Sequence, residues 1–567
     1  MVSYRVHRFS ISSAAHRQRI ALYFGVIALA LAASSTGFAN GFALDDIALV
    51  ADNARVHSLH RWWGLFALPY WPPQFGTSLY RPIVTLGYAL QWTAGNGAPW
   101  VFHLTSILLY ASVSALVLRL FLELLPPAAA FLGASLFAVH PVHVEAVANV
   151  VGQSELIAAL AAIAASVIYV RGRRAGTLGA FAVAAIGLLF AVACLCKEHA
   201  LLLPLLFLGL EWLVESSGAP QSNTSILDRL RAIAPLYVVL GAIGFVYLLV
   251  RTAVVGELLG EKHLVPVYGV QRLWVMLAVM PQWLRLLTWP AHLSADYSPQ
   301  HIAVPNGIGP EVMVGMMILI VAGMAFVALG RGDANGRDAR AAVRVGLAWT
   351  AVTLLPVSNL FSVMLVAERT LLMPSVGAML VAAAATVAAS RRLTMVHTAK
   401  AVTFAVPIVT TGFIVVGLVH SRDRQRVWRD DTTLFAQTVD DAPRSYRAQF
   451  LYGQLLFEQG KRAQGEQHLR LAIALNPTAS DVSPLNYLAT QYRDAGMCPQ
   501  ALPLYERAFA NDATRPDVRY GLAACLLATG RVDDARRLAQ DGVRKGDLKS
   551  LFLQLIAQTD SAASRRS

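Results

Sequence analysis

Long apolar segments separated by short polar ones place the strictest limit on how this chain can fold. Of its 567 residues, 56% are hydrophobic and only 14% are charged, and the mean hydropathy is +0.52. A soluble globular protein carries roughly a quarter of charged residues, and a membrane-spanning helix needs about 20 apolar residues. The sequence therefore predicts an all-α, polytopic integral membrane protein.

Basic clusters between the apolar segments indicate which side each loop faces. Lys and Arg concentrate in cytoplasmic loops, so the clusters at 5–19, 171–174, 331–344 and 390–400 are predicted to be cytoplasmic. This distribution also accounts for the net charge of +13 without a nucleic-acid partner. Eleven crossings from an inside N-terminus put the C-terminal part outside. The predicted spans are 20–38, 101–123, 128–143, 155–171, 177–194, 200–215, 232–251, 311–329, 344–358, 371–389 and 401–420.

Two apolar segments need separate interpretation. Residues 20–39 resemble a cleavable signal peptide, but we interpret them as an uncleaved anchor because many spans follow. Residues 269–290 carry Arg272 and Arg285, and a crossing there would place the Arg-rich loop at 331–344 outside. We therefore expect 269–290 to lie in, or dip into, the outer leaflet.

After residue 421 the sequence becomes polar and repeats itself. Small residues recur at intervals of 36 and then 34, as Gly453, Ala489 and Ala523 and again as Gly465, Ala501 and Ala535. Two packed antiparallel helices require such residues, and 34 is the period of tetratricopeptide repeats. Three copies are near the minimum for a stable stack. We predict a membrane domain at 1–421, a repeat domain at 422–557 and a disordered tail at 558–567.

The cysteines predict no covalent framework. Their positions are 194, 196, 498 and 525, and these spacings form no disulfide pattern. Cys194 and Cys196 lie in an apolar run and are expected to be small buried side chains.

An adjacent pair of carboxylates, Asp45 and Asp46, begins the first external loop, 39–100. Acidic residues near a membrane face tend to mark sites for cations, protons or substrates, although a solvated loop explains the position alone equally well. The aromatic residues of 60–73 favour the headgroup zone and would hold the carboxylates at a fixed height. On an extended segment only one of the pair faces the site, with Asp46 preferred.

Three further polar groups lie at helix ends predicted to face outward. They are His140, His143 and Glu145, then Lys197 and Glu198, and finally Glu368 and Arg369. The two histidines have a spacing that suits zinc, but no nearby cluster supplies a third ligand. Helix ends commonly carry charge, so each group alone is a weak signal. Together with the acidic pair, on one face, they indicate a site.

The order of these motifs matches a known family. ALDDIALVADN, YRPIV, HPVHVEAVANVVGQSE, LCKEH, RLLTWPAHLSADYS, AERTLLMPSVG and VWRDDTTLF precede the repeats. From about residue 40 to 540 the chain resembles the transmembrane-and-tetratricopeptide-repeat O-mannosyltransferases and their bacterial relatives. The resemblance implies a GT-C-type helical domain, which uses a polyprenyl-phosphate-linked sugar, followed by a repeat solenoid.

The resemblance, together with the chemistry of Arg and Lys side chains toward phosphate, indicates roles for individual residues. Asp45 or Asp46 matches the family's catalytic carboxylate, with Glu145 as a further catalytic candidate. The expected contacts of the donor phosphate are Arg369, Lys197 and Arg81, and the supporting residues are His140, His143, Glu198 and Glu368.

Two points about the donor stay open. A divalent cation, Mg²⁺ or Mn²⁺, bridging the phosphate to Asp45 or Asp46 and Glu145 would do the work of a basic side chain. The family commonly continues with Gly-Arg where this chain has Gly152-Gln153, so a charge that faces the phosphate is missing.

We expect transfer of a sugar, mannose by the resemblance, to a hydroxyl of a protein or envelope glycan that the repeats capture. The Ala- and Arg-rich composition indicates a bacterium, hence an inner membrane with a periplasmic site. A transporter or flippase of lipid-linked saccharides would carry its charges near the midplane, whereas here they lie at one face. A membrane-anchored repeat scaffold would require neither eleven spans nor the acidic pair.

Overall fold

A computed structural model describes most of the chain. The described residues are 13–75, 78–176, 178–216, 226–256, 267–298, 302, 304–328, 337–360, 365–394, 399–477, 481–546 and 548–564. Within these ranges there are helices and connecting segments but no β-strand, so the predicted all-α class is confirmed. Two compact units result: a membrane unit, 1–295 with 305–434, and a repeat unit, 296–304 with 435–567. The domain limits drawn from the sequence stay predictions.

The membrane unit is built from helices of very different length. They are α1 (Ser13–Ser34), α2 (Pro82–Gly95), α3 (Pro99–Phe121), α4 (Pro127–Ala138), α5 (Val144–Ala148), α6 (Gln153–Arg174), α7 (Ala180–Cys196), α8 (Leu203–Ser216), α9 (Ile226–Val255), α10 (Gln271–Thr288), α11 (Pro310–Ala328), α12 (Arg337–Leu354), α13 (Leu372–Thr394) and α14 (Ala399–Val427). Shorter 3₁₀ turns connect several of them, and Ile47–Ala51 form a π-helical turn.

Seven segments among the described residues are long and apolar enough to cross a membrane, or eight if one bent pair counts as a span. They are His16–Ala39, Pro99–Phe121, Val150–Arg174, Leu230–Val255, Pro310–Ala328, Ala339–Val357 and Glu368–Ala389. The multi-pass membrane character is thereby confirmed. The predicted spans at 177–194 and 200–215 correspond to α7 and α8, with 17 and 14 residues. The count of eleven, the sides and the membrane depth of α10 stay predictions.

One predicted span is interrupted. The sequence placed a crossing at 128–143, but α4 ends at Ala138 and the chain then bends by 48° into Pro141–Ala148. The cause is Pro141, which lacks an N–H group and disfavours a helical conformation at the residue before it. That residue, His140, is extended, with ψ of 120°. The break leaves Glu145 on the short helix α5.

The repeat unit is a succession of antiparallel helices. They are α15 (Asp431–Asp441), whose first turn belongs to the membrane unit, then α16 (Tyr446–Glu458), α17 (Arg462–Leu475), α18 (Ser483–Asp494), α19 (Cys498–Asn511), α20 (Pro516–Ala528), α21 (Val532–Lys545) and α22 (Lys549–Ser564). The predicted small residues lie where paired helices touch. A Cβ atom on Gly465 would lie 2.8 Å from the carbonyl oxygen of Gly453, and Ala489, Ala501, Ala523 and Ala535 are buried.

A disulfide between Cys498 and Cys525 joins α19 to α20, with Cα atoms 5.0 Å apart. The prediction that the cysteines form no such bond was wrong. Their separation in sequence does not reveal that consecutive antiparallel helices bring these two positions together. Cys194 and Cys196 are free and buried in α7, as expected.

The last helix covers most of the predicted disordered tail. α22 continues to Ser564, and only 565–567 of the tail lie outside the described residues. Phe552 and Leu555 form a buried cluster with Ala523 and Ala539 of the preceding repeat. These contacts anchor α22 to the preceding repeat just before residue 558, where the predicted tail begins.

Candidate active site

The acidic pair lies on a helical turn, and its two carboxylates have different surroundings. The side chain of Asp45 is 25% exposed, whereas Asp46 is 1% exposed. Both oxygens of Asp46 accept backbone hydrogen bonds, from the N–H groups of Val150 and Val151, at 3.0 Å each. The expectation of an extended segment was wrong, because the pair lies on a helical turn that directs the Asp46 side chain inward; the preference for Asp46 as the catalytic residue stays a prediction.

The amides that hold Asp46 belong to the turn before α6. Val150–Gly152 form a 3₁₀ turn, and the Asn149 side chain accepts from the N–H of Val151. N–H groups at the start of a helix lack intrahelical partners and favour a negative charge. Gly152 allows the turn to be this tight, since a Cβ atom there would lie 2.2 Å from the Ala146 carbonyl oxygen.

Burial raises the pKa of Asp46 to about 8, although the two amides favour its ionised form. The neighbouring charge of Asp45 adds to the increase. Asp46 is thus buried and held by backbone amides, whereas the side chain of Asp45 is partly exposed. Asp45 is therefore the accessible carboxylate of the pair.

Arg369 connects Asp45 to Glu145. Its backbone N–H and its Nη1 donate to the two oxygens of Glu145, at 2.9 and 2.8 Å. Its Nη2 lies 3.9 Å from an oxygen of Asp45. The ion-pair partner of Arg369 at hydrogen-bonding distance is therefore Glu145. Glu368 instead accepts the N–H of Ser294 at 2.7 Å.

The other two predicted phosphate contacts are also paired with carboxylates. The Lys197 ammonium lies 2.7 Å from Glu155. Arg81 donates to both oxygens of Glu198, at 2.9 and 3.2 Å, and lies over the ring of Tyr70. Burial lowers the pKa of Lys197. Burial acts to raise the pKa of Glu198, but Arg81 and Lys197 hold it well below its usual range.

These groups form one electrostatic assembly, which we call the charged cluster. Arg369 lies within interaction range of Asp45, Glu145, Glu155 and Arg81, and Lys197 within range of Arg369. The charged cluster comprises Asp45, Asp46, Arg81, Glu145, Glu155, Lys197, Glu198 and Arg369. Most of the predicted site residues thus come together, although they lie far apart in sequence.

A cavity adjoins the charged cluster at Lys197. Its polar wall contains Glu155, Lys197 and His199. Its remaining wall is mainly apolar, formed by residues such as Ala158, Leu203, Val352 and Met373. The cavity thus combines a charged end, where Lys197 is paired with Glu155, with mainly aliphatic walls.

The histidines predicted as supporting residues connect helices. The ring nitrogens of His143 lie 2.8 Å from the Tyr110 hydroxyl of α3 and 2.7 Å from the Ser375 hydroxyl of α13. Nδ1 of His140 accepts the N–H of Val142 at 3.4 Å. Within the described part of the chain, no three His, Cys, Asp or Glu side chains are arranged to hold a metal ion.

Gln153, which stands where the family commonly has arginine, is buried and hydrogen-bonded to neutral groups. Its side-chain amide exchanges hydrogen bonds with that of Gln91, both at 2.9 Å, and donates to the Phe102 carbonyl. The charge missing at this position is thus replaced by a neutral contact between α6, α2 and α3.

Two acidic residues that contact the site region were not predicted as site residues. Glu155 was noted only as the start of a span, yet it pairs with Lys197. Asp431 accepts the backbone N–H of Leu44 at 2.7 Å. The only signal for Asp431 was its place in the VWRDDTTLF motif.

Comparison with known proteins agrees with this architecture. Two family models described as "Tetratricopeptide repeat" match residues 432–480 and 492–559. The predicted repeat solenoid is thereby confirmed.

Similarity to curated proteins extends into the membrane unit. "Protein O-mannosyl-transferase Tmtc2" of Drosophila melanogaster is 37% identical over 175 residues, which are 28% of this chain and 18% of that protein. "Protein O-mannosyl-transferase TMTC4" of Mus musculus is 26% identical over 489 residues, 76% of this chain and 63% of the other. "Protein O-mannosyl-transferase TMTC1" of Homo sapiens is 25% identical over 493 residues, which cover 80% of this chain and 54% of that protein.

This chain spans less than two thirds of the length of each of these relatives. The longer alignments nevertheless cover most of the present chain, including parts of both units. The motif order, the repeats and these alignments together make the chain a homologue of the transmembrane-and-tetratricopeptide-repeat protein O-mannosyl-transferases, the family that its sequence resembled.

Proposed function

We propose that this chain is a membrane glycosyltransferase of the GT-C type. It transfers a sugar, mannose, from a polyprenyl-phosphate donor to a hydroxyl group of a protein acceptor. The observation that carries the proposal is the arrangement of Asp45, Arg369 and Glu145: an accessible carboxylate lies 3.9 Å from a guanidinium that a second, buried carboxylate holds in place. The names of the homologues support the same reaction.

In this reaction Asp45 takes the proton of the acceptor hydroxyl. The acceptor oxygen forms a bond to C1 of the sugar as the bond from C1 to the phosphate oxygen breaks. The electron pair of that bond leaves with polyprenyl phosphate. General-base assistance of this kind contributes about 10²–10⁴-fold to a rate.

Arg369 and Lys197 bind the donor phosphate in this proposal. A guanidinium contacts phosphate oxygens through two parallel hydrogen bonds, whereas an ammonium acts as a point charge. The apolar wall of the cavity beside Lys197 supports binding of the first isoprene units. Were a divalent cation to take part, Asp45 and Glu145 would supply carboxylate oxygens to it in place of their contacts with the Arg369 guanidinium, and the cation would then neutralise charge on the phosphate.

We further propose that the active site and the repeats lie on the outer side of a bacterial inner membrane. Disulfides persist in oxidising compartments such as the periplasm, and the Cys498–Cys525 bond supports this side for the repeats. The basic group Arg171–Arg174 lies at the end of α6 remote from Val150, as expected for a cytoplasmic end. The repeats then present the acceptor protein.

A reconstituted assay tests the proposal. Purified protein in lipid nanodiscs is given synthetic polyprenyl-phosphate mannose and periplasmic proteins, with and without EDTA, and mass spectrometry detects hexose on the acceptors. We expect transfer by the wild-type protein and none by Asp45→Asn. Comparison of envelope glycoproteins and glycolipids from wild-type and deletion strains identifies the acceptor class. Unchanged glycans in the deletion strain, with no transfer in vitro, would contradict the proposal.

A further inference from the structure

The segment that leads to the acidic pair is tied to the end of α14. Thr36, Asn40 and Gly41 donate hydrogen bonds to the carbonyl oxygens of Arg422, Gln425 and Arg429, at 2.7, 2.8 and 2.8 Å. All these residues belong to the membrane unit. The position of this segment is therefore set by the C-terminal end of α14 and the residues that directly follow it.

A fourth hydrogen bond acts on the residue directly before the pair. The backbone N–H of Leu44 donates to Oδ1 of Asp431 at 2.7 Å. Leu44 has a φ of +55°, in the left-handed region that non-glycine residues seldom adopt. Such a conformation persists only where the surroundings impose it. The Asp431 carboxylate supplies a restraint of this kind.

We propose that Asp431 is a positioning residue for sugar transfer, because it fixes the turn at Leu44 that directs Asp45 toward the acceptor. This inference rests on the proposed function, since it takes Asp45 as the base. Asp431 is also the first residue of α15. The carboxylate of Asp431 therefore connects the first turn of α15 to the backbone turn that orients the Asp45 side chain.

Capping of α15 does not account for Asp431. The cap is formed by its neighbour Asp430, whose Oδ1 accepts the N–H of Thr433 at 2.8 Å. Asp430 also contacts the Thr433 hydroxyl. Removal of Asp430 thus disturbs the same helix end without touching Leu44, which provides a matched control.

The test uses the full-length protein in nanodiscs and measures kcat and KM. Asp431→Ala should lower kcat by between about tenfold and about a hundredfold, the range expected when a hydrogen bond to a charged group is lost. Both KM values should change little, since no substrate contact is removed. Asp431→Asn keeps an acceptor oxygen and should remain active. Asp430→Ala should keep the wild-type kcat.

A second-site change tests the role of the left-handed turn. Glycine adopts a positive φ at little cost, so Leu44→Gly in the Asp431→Ala background should restore much of kcat. A residue that merely stabilised the fold would not be rescued in this way. If neither Asp431→Asn nor Leu44→Gly recovers the activity lost in Asp431→Ala, the inference is wrong. It is equally wrong if Asp431→Ala is fully active.

Hydrogen exchange separates this inference from the proposed function. Peptides covering 40–51 should exchange faster in Asp431→Ala than in the wild type, and at the wild-type rate in Asp430→Ala. This measurement needs no turnover. Faster exchange with an inactive wild-type protein would reject the transferase and keep the restraint on the loop. Unchanged exchange would reject the restraint whatever the activity.

Discussion

The charged cluster and the repeat unit both contain ion pairs, but most pairs of the repeat unit are more exposed, apart from that of the buried Arg519 with Asp541. In the charged cluster, the side chains of Lys197 and Glu155 are 8% and 9% exposed. In the repeat unit, those of Arg544 and Asp541 are 76% and 31% exposed. Exposed pairs typically contribute about 0–1 kcal/mol to stability. Breaking a buried pair costs about 3–5 kcal/mol, even though forming it gains little over an apolar contact.

This difference indicates that the two sets of charges serve different purposes. The exposed pairs of the repeats solubilise a helical surface. The buried pairs of the charged cluster cost desolvation energy, and replacing such pairs by well-packed apolar residues is often neutral or stabilising in proteins. We infer that they are kept because they hold charges in defined positions, as intramembrane and interfacial charges of functional sites do.

The strongest test of the comparison is Asp45→Asn. The amide keeps the size of the side chain but cannot accept a proton, so kcat should fall by about 10²–10⁴-fold. Folding should be unaffected, because this side chain is partly exposed. Transfer rates at saturating donor and thermal unfolding of the same sample measure the two effects. A fully active Asp45→Asn protein would show that Asp45 is not the general base and that another group of the charged cluster has this role.

Arg369 should affect donor binding more than chemistry. Arg369→Lys keeps the charge but loses the planar guanidinium, so the donor KM should rise by about tenfold, while kcat changes less. Arg369→Ala should raise KM further but leaves Glu145 buried without its cation. The double change Glu145→Gln with Arg369→Ala is the control for that defect. Unchanged donor dependence in a folded Arg369→Ala protein would reject the phosphate contact.

Asp46 should make stability depend on pH. Its pKa is about 8 in the folded protein and about 3.9 in an unfolded chain. Between these values the folded protein binds more protons, so the free energy of unfolding falls as pH rises, by at most about 1.4 kcal/mol per pH unit. The contribution of Asp46 to the free energy of unfolding is therefore fully present below about pH 4. It decreases as pH rises and is lost once pH exceeds about 8.

Unfolding midpoints from pH 5 to 9 measure this effect. Asp46→Asn should flatten the pH dependence, because the amide does not titrate. Asp52→Asn removes an exposed carboxylate of the same loop and should leave the dependence intact. Identical profiles for the wild type and Asp46→Asn would mean that Asp46 is ionised in the folded protein.

The smallest effect is expected in the repeats. Arg544→Gln removes an exposed partner of Asp541, and the unfolding midpoint and transfer activity should both stay within experimental error. This variant serves as the baseline for the charged cluster. A marked loss of stability would show that burial does not separate the two sets of pairs.

Periodic features of the sequence predicted the fold well. Apolar segments of spanning length and small residues at a period near 34 depend on local spacing alone. The broken helix after Ala138 was missed although Pro141 is visible, because the apolar run continues through it. The disulfide was missed because it depends on how α19 and α20 pack.

The membership of the charged cluster was largely predictable, but the pairing of its side chains was not. Charged residues at helix ends identified Asp45, Glu145, Lys197 and Arg369. Which acidic side chain pairs with which basic side chain depends on long-range contacts, such as that between Glu145 and Arg369, which are 224 positions apart in the sequence. The inward direction of Asp46 depends on a backbone turn that the sequence pattern does not encode.

Because the tight turn at residue 152 requires glycine, the residue at this position can be used to compare homologous sequences. A side chain at this position would collide with the Ala146 carbonyl oxygen, 2.2 Å from the nearest Cβ position. A homologue with any other residue there must have rebuilt the turn, and its counterpart of Asp46 must find different donors. Homologues with glycine at this position are expected to hold the acidic loop by the same backbone amides. Homologues with another residue there are expected to hold that loop in a different way.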